Sequence, residues 1–249
     1  LFHGSVNAAN VGYYEMCDGE GRPWQITPIT AAGHTPVYLA DLSSADLQGL
    51  DVLFVTNCNN FGYDQEYLSR LAEVTQAVEN GLVVIIHDRK VENAAAILPG
   101  GADIISVRGA GRNVDVVDDS TQLTHGPGGV IDDTILDNAR NTEHGYLQAA
   151  SLPPGARTII SRPDTSQAVV STYNLGTGAV IYSSVPLDYY AGYMPLCVRF
   201  MDPQYTSCQT IVNVYAPNAV AFAAEIASSK PVANAGDDQT VDEGMQVKL

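Results

Sequence analysis

Lysine is scarce in this chain: Lys90, Lys230 and Lys248 are the whole complement, and with Arg they make only 12 basic residues against 28 Asp and Glu. The formal net charge of −16 repels phosphate backbones, which argues against nucleic-acid binding. The plain consequence of such a surface is solubility. Long apolar runs are also missing; none approaches the roughly 20 residues that a membrane-spanning helix needs, so no membrane span is expected. No Asn-x-Ser/Thr triplet occurs, so N-glycosylation is not indicated. There is no initiator Met and no leader with charged, apolar and small-residue parts, and Leu1 is expected to belong to a chain trimmed from a longer precursor. Cysteine is limited to four residues without a CxxC, which leaves a zinc ribbon or a thioredoxin-type site unsupported.

What is present suits a folded core. Of 249 residues, 45% are hydrophobic and 16% charged, which disfavours disorder and allows one large α/β domain, or one of about 200 residues with a small extra piece. The even cysteine count fits two disulfides in an oxidising compartment. Cys197–Cys208 would close a short loop, leaving Cys17–Cys58 by elimination; the alternative is four buried free thiols.

Along the chain, Leu1–Val6 reads as a first strand. Residues 7–34 read as turn-rich, with a short helix over Trp24–Ala32. Thr35–Ala40 reads as a strand, and "DVLFVT" (Asp51–Thr56) and "LVVIIH" (Leu82–His87) as strands covered on both faces, as in parallel sheets. Asp64–Asn80 reads as a helix with Asp64 as N-cap and Gly81 at C′. A short helix over Val91–Leu98 and a strand over Ala102–Val107 follow, then loops with short helices over 109–155. Arg157–Ser161, Ala168–Tyr173 and Ala179–Ser184 are three further strands, the last two joined into a hairpin by "NLGTG". A helical stripe through Tyr215, Ala219, Phe222, Ala223 and Ile226 carries Pro217, which either starts the helix or kinks it. The expected fold is α/β, a doubly wound, mostly parallel sheet with a late β-hairpin and a C-terminal β-type tail.

Four groups of residues bear on chemistry. His87 and Asp88, with Arg89, end a buried strand, where doubly wound folds place functional groups; His3 ends a neighbouring expected strand. A structural His satisfying backbone groups explains His87 as well. Cys58 also ends a strand and would need a His base to act as a nucleophile. The carboxylates Asp118, Asp119, Asp132 and Asp133 lack EF-hand spacing and read first as solvated loop residues; calcium is the ion they would take, and no other cofactor is expected. "RGAGRN" (Arg108–Asn113) lacks the third Gly of a dinucleotide fingerprint. Tyr13, Tyr14, Tyr189 and Tyr190 are the candidates for stacking on sugar rings, although core or interfacial Tyr explains them equally well.

Three stretches, "LADLSSADLQGLDVLFVTN", "VENGLVVIIH" and "YNLGTGAVIYSS" followed by "PNAVAFAAEIA", together resemble the class I glutamine amidotransferase-like superfamily on its trehalose-utilisation (ThuA-like) side, over about residues 1–227. "LTHGPGGVIDD" is similar to that group's loop as well. The resemblance implies a flavodoxin-like fold. True members carry a Cys nucleophile on a sharp elbow and a late His–Glu pair. Here His87-Asp88 fills the elbow and no His follows His144, so the resemblance implies the fold without amidotransferase activity. After a linker at 228–230, residues 231–249, "PVANAGDDQTVDEGMQVKL", resemble the opening of a polycystic-kidney-disease (PKD) domain, an Ig-like sandwich typical of secreted and cell-surface proteins.

These features lead to two expectations. The first is a non-catalytic, secreted or cell-surface module of a larger extracellular protein, whose partner is a glycan or further copies of itself through the 231–249 tail. The second is a carbohydrate-active hydrolase with a site around His87.

Overall fold

The computed structural model describes residues 8–192 and 204–229. The expected strand at 1–6, His3, Cys197 and the tail at 231–249 lie outside them. Among the described residues the frame is a mixed sheet of ten strands; a separate antiparallel pair, β7 (His125–Gly126) and β8 (Gly129–Val130), makes twelve strands, numbered here in chain order. Five run parallel in the spatial order β2 (Thr35–Tyr38), β1 (Asn10–Glu15), β3 (Val52–Asn57), β4 (Val83–Asp88) and β12 (Gly178–Ser183). The sheet continues antiparallel through β11 (Gln167–Leu175), β10 (Arg157–Ser161) and β6 (Asp115–Val116). A side arm pairs β9 (Glu143–Gln148) with β11 and with β5 (Ser106–Gly111). The α/β doubly wound architecture with its late hairpin is therefore the observed one.

The strands form where the sequence leaves no solvated face. β3, β4 and β12 are buried at every position, because helices cover both sides of the parallel segment. On one side, Val52, Phe54, Val83, Ile85 and Ile181 meet Ile29 of α1 (Ile26–Ala31) and the apolar stripe of a C-terminal helix, α7 (Ala216–Ser228). On the other, Leu53, Val55, Val84, Ile86 and Val180 meet Leu47 of α2 (Ser44–Leu47), Tyr67 of α3 (Gln65–Ser69), and Val74 and Val78 of α4 (Leu71–Glu79). Asp64 caps as expected, its carboxylate accepting from the Tyr67 amide at 3.0 Å. The expected single helix over 64–80 breaks at Arg70, whose backbone (φ −99°, ψ 3°) leaves the helical region.

Two further differences matter for the strand ends. The segment read as turn-rich contains β1, the second strand of the sheet from that edge. Its sequence "NVGYYE" holds few aliphatic residues, so the buried-strand signal is faint. The segment over 109–155, expected as loops with short helices, contains the end of β5, together with β6, β7, β8 and β9. At the C-terminal end, α6 (Gln204–Thr210) widens into a π-helical turn at Ile211–Tyr215 before continuing as α7. That turn comes immediately before Pro217, which has no N–H to give and would crowd a regular turn. Pro217 thus stands in the first turn of α7, which runs through Ser228, one residue into the expected linker.

Candidate functional site at the strand ends

In a sheet of order 2-1-3-4, the strand order reverses between β1 and β3, and the crevice outside those carboxyl ends is where such folds place ligands. The residues that follow these two strands are joined: Cys17 and Cys58 form a disulfide with their Cα atoms 5.8 Å apart. Cys58 is therefore no nucleophile. Cys208 is also disulfide-bonded.

Register places four polar residues in one row across four parallel strands: Glu15 beside Thr56, Thr56 beside His87, and His87 beside Ser183. Side chains alternate along each strand, so all four share the face covered by α1 and α7. Gln25 reaches over the row to donate to the Tyr14 carbonyl at 3.1 Å and to the Thr56 hydroxyl at 3.4 Å. Ser183 Oγ and Tyr215 Oη lie 2.6 Å apart. His87 is 1% exposed and meets Phe54 and Tyr215 edge-on, with ring centroids at 5.5 and 5.7 Å. Neither of its ring nitrogens has a hydrogen-bond partner. Burial pushes its pKa down to about 3, so the ring is neutral at pH 7. It is neither exposed in a pocket nor seated against backbone carbonyls.

Asp88 points to the opposite face, as alternation requires. It accepts from the Asn57 amide at 3.0 Å, the Tyr63 hydroxyl at 2.9 Å, the Tyr182 hydroxyl at 3.3 Å, and the backbone amides of Lys90 and Val91. The expectation that His87, Asp88 and Arg89 form one cluster is thereby corrected, since the sheet separates His87 from Asp88.

Arg89 instead ties the strand-end loops together. Its Nη1 donates to the Cys58 carbonyl at 3.0 Å and to Asp188 of α5 (Leu187–Gly192) at 2.9 Å. Its own carbonyl lies 2.9 Å from His144 Nδ1. Burial raises the Asp188 carboxyl to about 6 against the pull of Arg89. Burial, a hydrogen bond with Asp18 and the charge of Asp188 raise Glu15 to about 8, while the Trp24 indole draws it down. Glu143, paired with Arg162 at 2.7 Å, is raised by burial to about 7.

The tyrosines divide by burial. Tyr13, Tyr14 and Tyr190 are core residues; Tyr14 donates to Asp64 at 2.7 Å and Tyr190 to the Asn141 carbonyl at 2.9 Å. The expectation that they offer faces to a sugar is corrected for these three. Tyr189 is half-buried, and its ring lies 5.2 Å from the Arg89 guanidinium carbon. The loop carboxylates serve local structure: Asp118 pairs with Arg157, Asp132 caps Thr134 and Ile135, and Asp133 accepts from the Val116 amide. Asp119 is exposed. Among the described residues no three His, Cys, Asp or Glu side chains form a metal-holding group, and no helix is long and apolar enough to cross a membrane.

Sequence reasoning missed Glu15, Asp188, Glu143 and His144. Glu15 and Asp188 carried a faint signal, each being one acid beside a tyrosine pair ("YYE", "DYY"). No motif marked the other two.

The sequence matches no protein-family model and no curated protein. Among solved structures, the chain is similar to a cytoplasmic protein from Salmonella typhimurium (12% identity, TM-score 0.49, covering 81% of this chain and 96% of that one). It is also similar to an exo-β-1,4-mannosidase from Opitutaceae bacterium strain TAV5 (12%, TM-score 0.46, 84% and 36%) and a β-galactosidase from Rahnella sp. R3 (12%, TM-score 0.42, 83% and 31%). The chain thus spans about a third of each glycosidase. Likeness at this level says nothing about activity.

Proposed function

We propose that this chain is a non-catalytic recognition domain of a secreted or cell-surface protein, working through contact with a glycan. The observation that carries the reading is the end of β4. Where an amidotransferase-like enzyme would present its nucleophile, His87 is sealed between two aromatic rings, and Asp88 is saturated by five donors on the other face. Neither side chain can touch a substrate without dismantling the core. The Cys17–Cys58 and Cys208 disulfides support an oxidising compartment. The test is turnover: the intact, oxidised protein is incubated with glutamine and with a panel of nitrophenyl glycosides, and no release of ammonia or nitrophenol is expected. Release above background that Asp188→Asn abolishes would overturn the reading.

One observation favours the hydrolase instead. Glu15 and Asp188 are two buried carboxyl groups close enough for the charge of one to raise the other, a pairing that acid–base hydrolysis of a glycosidic bond employs. The same assay decides between the two, because a hydrolase built on this pair would lose activity in both Glu15→Gln and Asp188→Asn.

A further inference from the structure

The chain is short of positive charge, yet four of its twelve basic residues stand at one rim of the sheet. Arg89 and Lys90 follow β4, Arg108 lies on β5, and Arg162 follows β10. Aromatic rings stand between them: Lys90 Nζ lies 4.6 Å from the Tyr63 ring centroid, and the Arg162 guanidinium 4.7 Å from that of Tyr146. Arg108 Nη1 donates to the Asn60 carbonyl at 2.5 Å, which brings it to the loop carrying Phe61, and its charge reaches both Tyr63 and His144. Phe61 is 87% exposed, the most exposed of the large hydrophobic residues described.

Two features separate this rim from an ordinary solvated surface. Arg89 and Arg162 are paired with Asp188 and Glu143, but Lys90 and Arg108 form no ion pair among the described residues. Arg112 and Arg140 form none either, but Arg112 is spent on the Ala139 and Asn138 carbonyls; Lys90 stands over the Tyr63 ring and the charge of Arg108 reaches the same tyrosine. Asn60 Oδ1 and Arg89 Nε are also buried here without hydrogen-bond partners, an acceptor and a donor left unused. Glu92, exposed beside Tyr63, is the one acidic side chain of this β4 loop that faces solvent.

We infer that the rim formed by Phe61, Tyr63, Lys90, Arg108, His144 and Tyr146 binds a short acidic saccharide, one whose sugar rings carry carboxylate groups. Arg108 and Lys90 hold the carboxylate by charge-assisted hydrogen bonds, and Phe61 offers its open face to the apolar side of a sugar ring. The acidic remainder of the molecule repels a long polyanion, which limits the ligand to a few residues. This inference rests on the glycan-recognition reading above and names its ligand class.

The probe is trigalacturonate, with the uncharged trisaccharide of galactose as control, titrated into the intact oxidised protein by calorimetry at low and high salt. Trigalacturonate is expected to bind, to weaken as salt rises, and to bind more tightly than the control. Arg108→Ala should weaken it about tenfold and Phe61→Ala roughly fivefold. Both positions are exposed, so an unchanged melting temperature is expected and certifies the fold. No binding, or equal binding of the two trisaccharides unaffected by Arg108→Ala, overturns the inference. New reducing ends in the same samples would overturn the non-catalytic reading while leaving the binding result standing, so the two failures are separable.

Discussion

His87 and Asp88 are neighbours in sequence and equally buried, but the sheet sends them into opposite environments. On the α7 face, His87 makes no hydrogen bond and is accommodated by becoming an aromatic hydrocarbon in all but name: neutral, and edge-on to Phe54 and Tyr215. On the α4 face, Asp88 is surrounded by five donors, three from side chains of β3, β12 and the loop before α3. Burial still pushes its carboxyl above the usual range, with those bonds pulling it down. A buried polar group is tolerated either by losing its charge or by being fully paired. This strand end uses one remedy on each face, and the two differ in what depends on them. Asp88 organises its surroundings, whereas His87 is only enclosed by them.

That contrast breaks if Asp88 proves dispensable. Asp88→Ala strands one N–H of the Asn57 amide, the Tyr182 hydroxyl and two backbone amides, each an unmet donor costing about 1–3 kcal/mol, while the Tyr63 hydroxyl keeps the Glu92 carbonyl at 3.0 Å. The expected loss is about 5 kcal/mol, near the upper end for a single substitution, read by urea denaturation at pH 7. A loss under about 2 kcal/mol would mean that the network adapts and organises little. The disulfide comes next in size. It closes a 41-residue separation between the loops after β1 and β3, which both faces share. The Cys17→Ala/Cys58→Ala double variant is expected to lose about 4 kcal/mol on the chain-entropy account. Trp24, the only tryptophan, packs edge-on to Phe54 on the His87 face. Its native-state fluorescence should be unchanged in the double variant; a shift would show that the His87 face depends on the clamp for its folded geometry as well as for its stability.

How much of this was legible beforehand divides along the same line. The parallel core could be read because β3, β4 and β12 are buried on both sides, so their sequences are unbroken apolar runs. Asp64 as a cap and the "NLGTG" turn could be read because local backbone geometry needs those residue types; Gly176 sits there at φ +59°. β1 could not, since tyrosines and a glycine fill positions elsewhere given to Val and Ile. β6 and β9 could not, because pairing with β10 and with β11 and β5 rather than local periodicity makes them strands. At the site, His87 and Asp88 were visible as the end of an apolar run. Their separation by the sheet follows from alternation alone. The Glu15–Thr56–His87–Ser183 row depends on register between strands far apart in sequence, which periodicity does not encode. The Arg89–Asp188 pair joins residues 99 positions apart, with no shared motif to announce it.

The buried titrations give a smaller, pH-resolved test. His87 has its pKa depressed in the folded state, from 6.5 to about 3. Its contribution is present above the unfolded value and lost as pH falls from about 6.5 toward 3. Glu15 has its pKa raised, from 4.5 to about 8. Its contribution is present below the unfolded value and lost as pH rises from about 4.5 through 8. Glu143 and Asp188 act in the same direction as Glu15. Each proton so linked contributes a slope of up to about 1.4 kcal/mol per pH unit. Stability should therefore decline on both sides of a maximum in the mildly acidic range. Measured against wild type, Glu15→Gln should relieve the alkaline decline and His87→Phe the acidic one. A difference curve for His87→Phe that is flat between pH 3 and 6.5 would show that the ring already finds a proton partner.

The smallest expected effect is the sharpest comparison with Asp88. At pH 7, His87→Phe removes two nitrogens that bond to nothing and keeps an edge-on ring against Phe54 and Tyr215. Relief of the unpaired polar atoms is set against the strain of a slightly larger ring in a packed site. The two nearly cancel, and the unfolding free energy should change by no more than about 1 kcal/mol in either direction. A loss of 3 kcal/mol or more would mean that the imidazole nitrogens are paired in solution, by ordered water or by Ser183 turning from Tyr215. His87 would then be a second organising residue, and the two faces of the strand end would follow one rule.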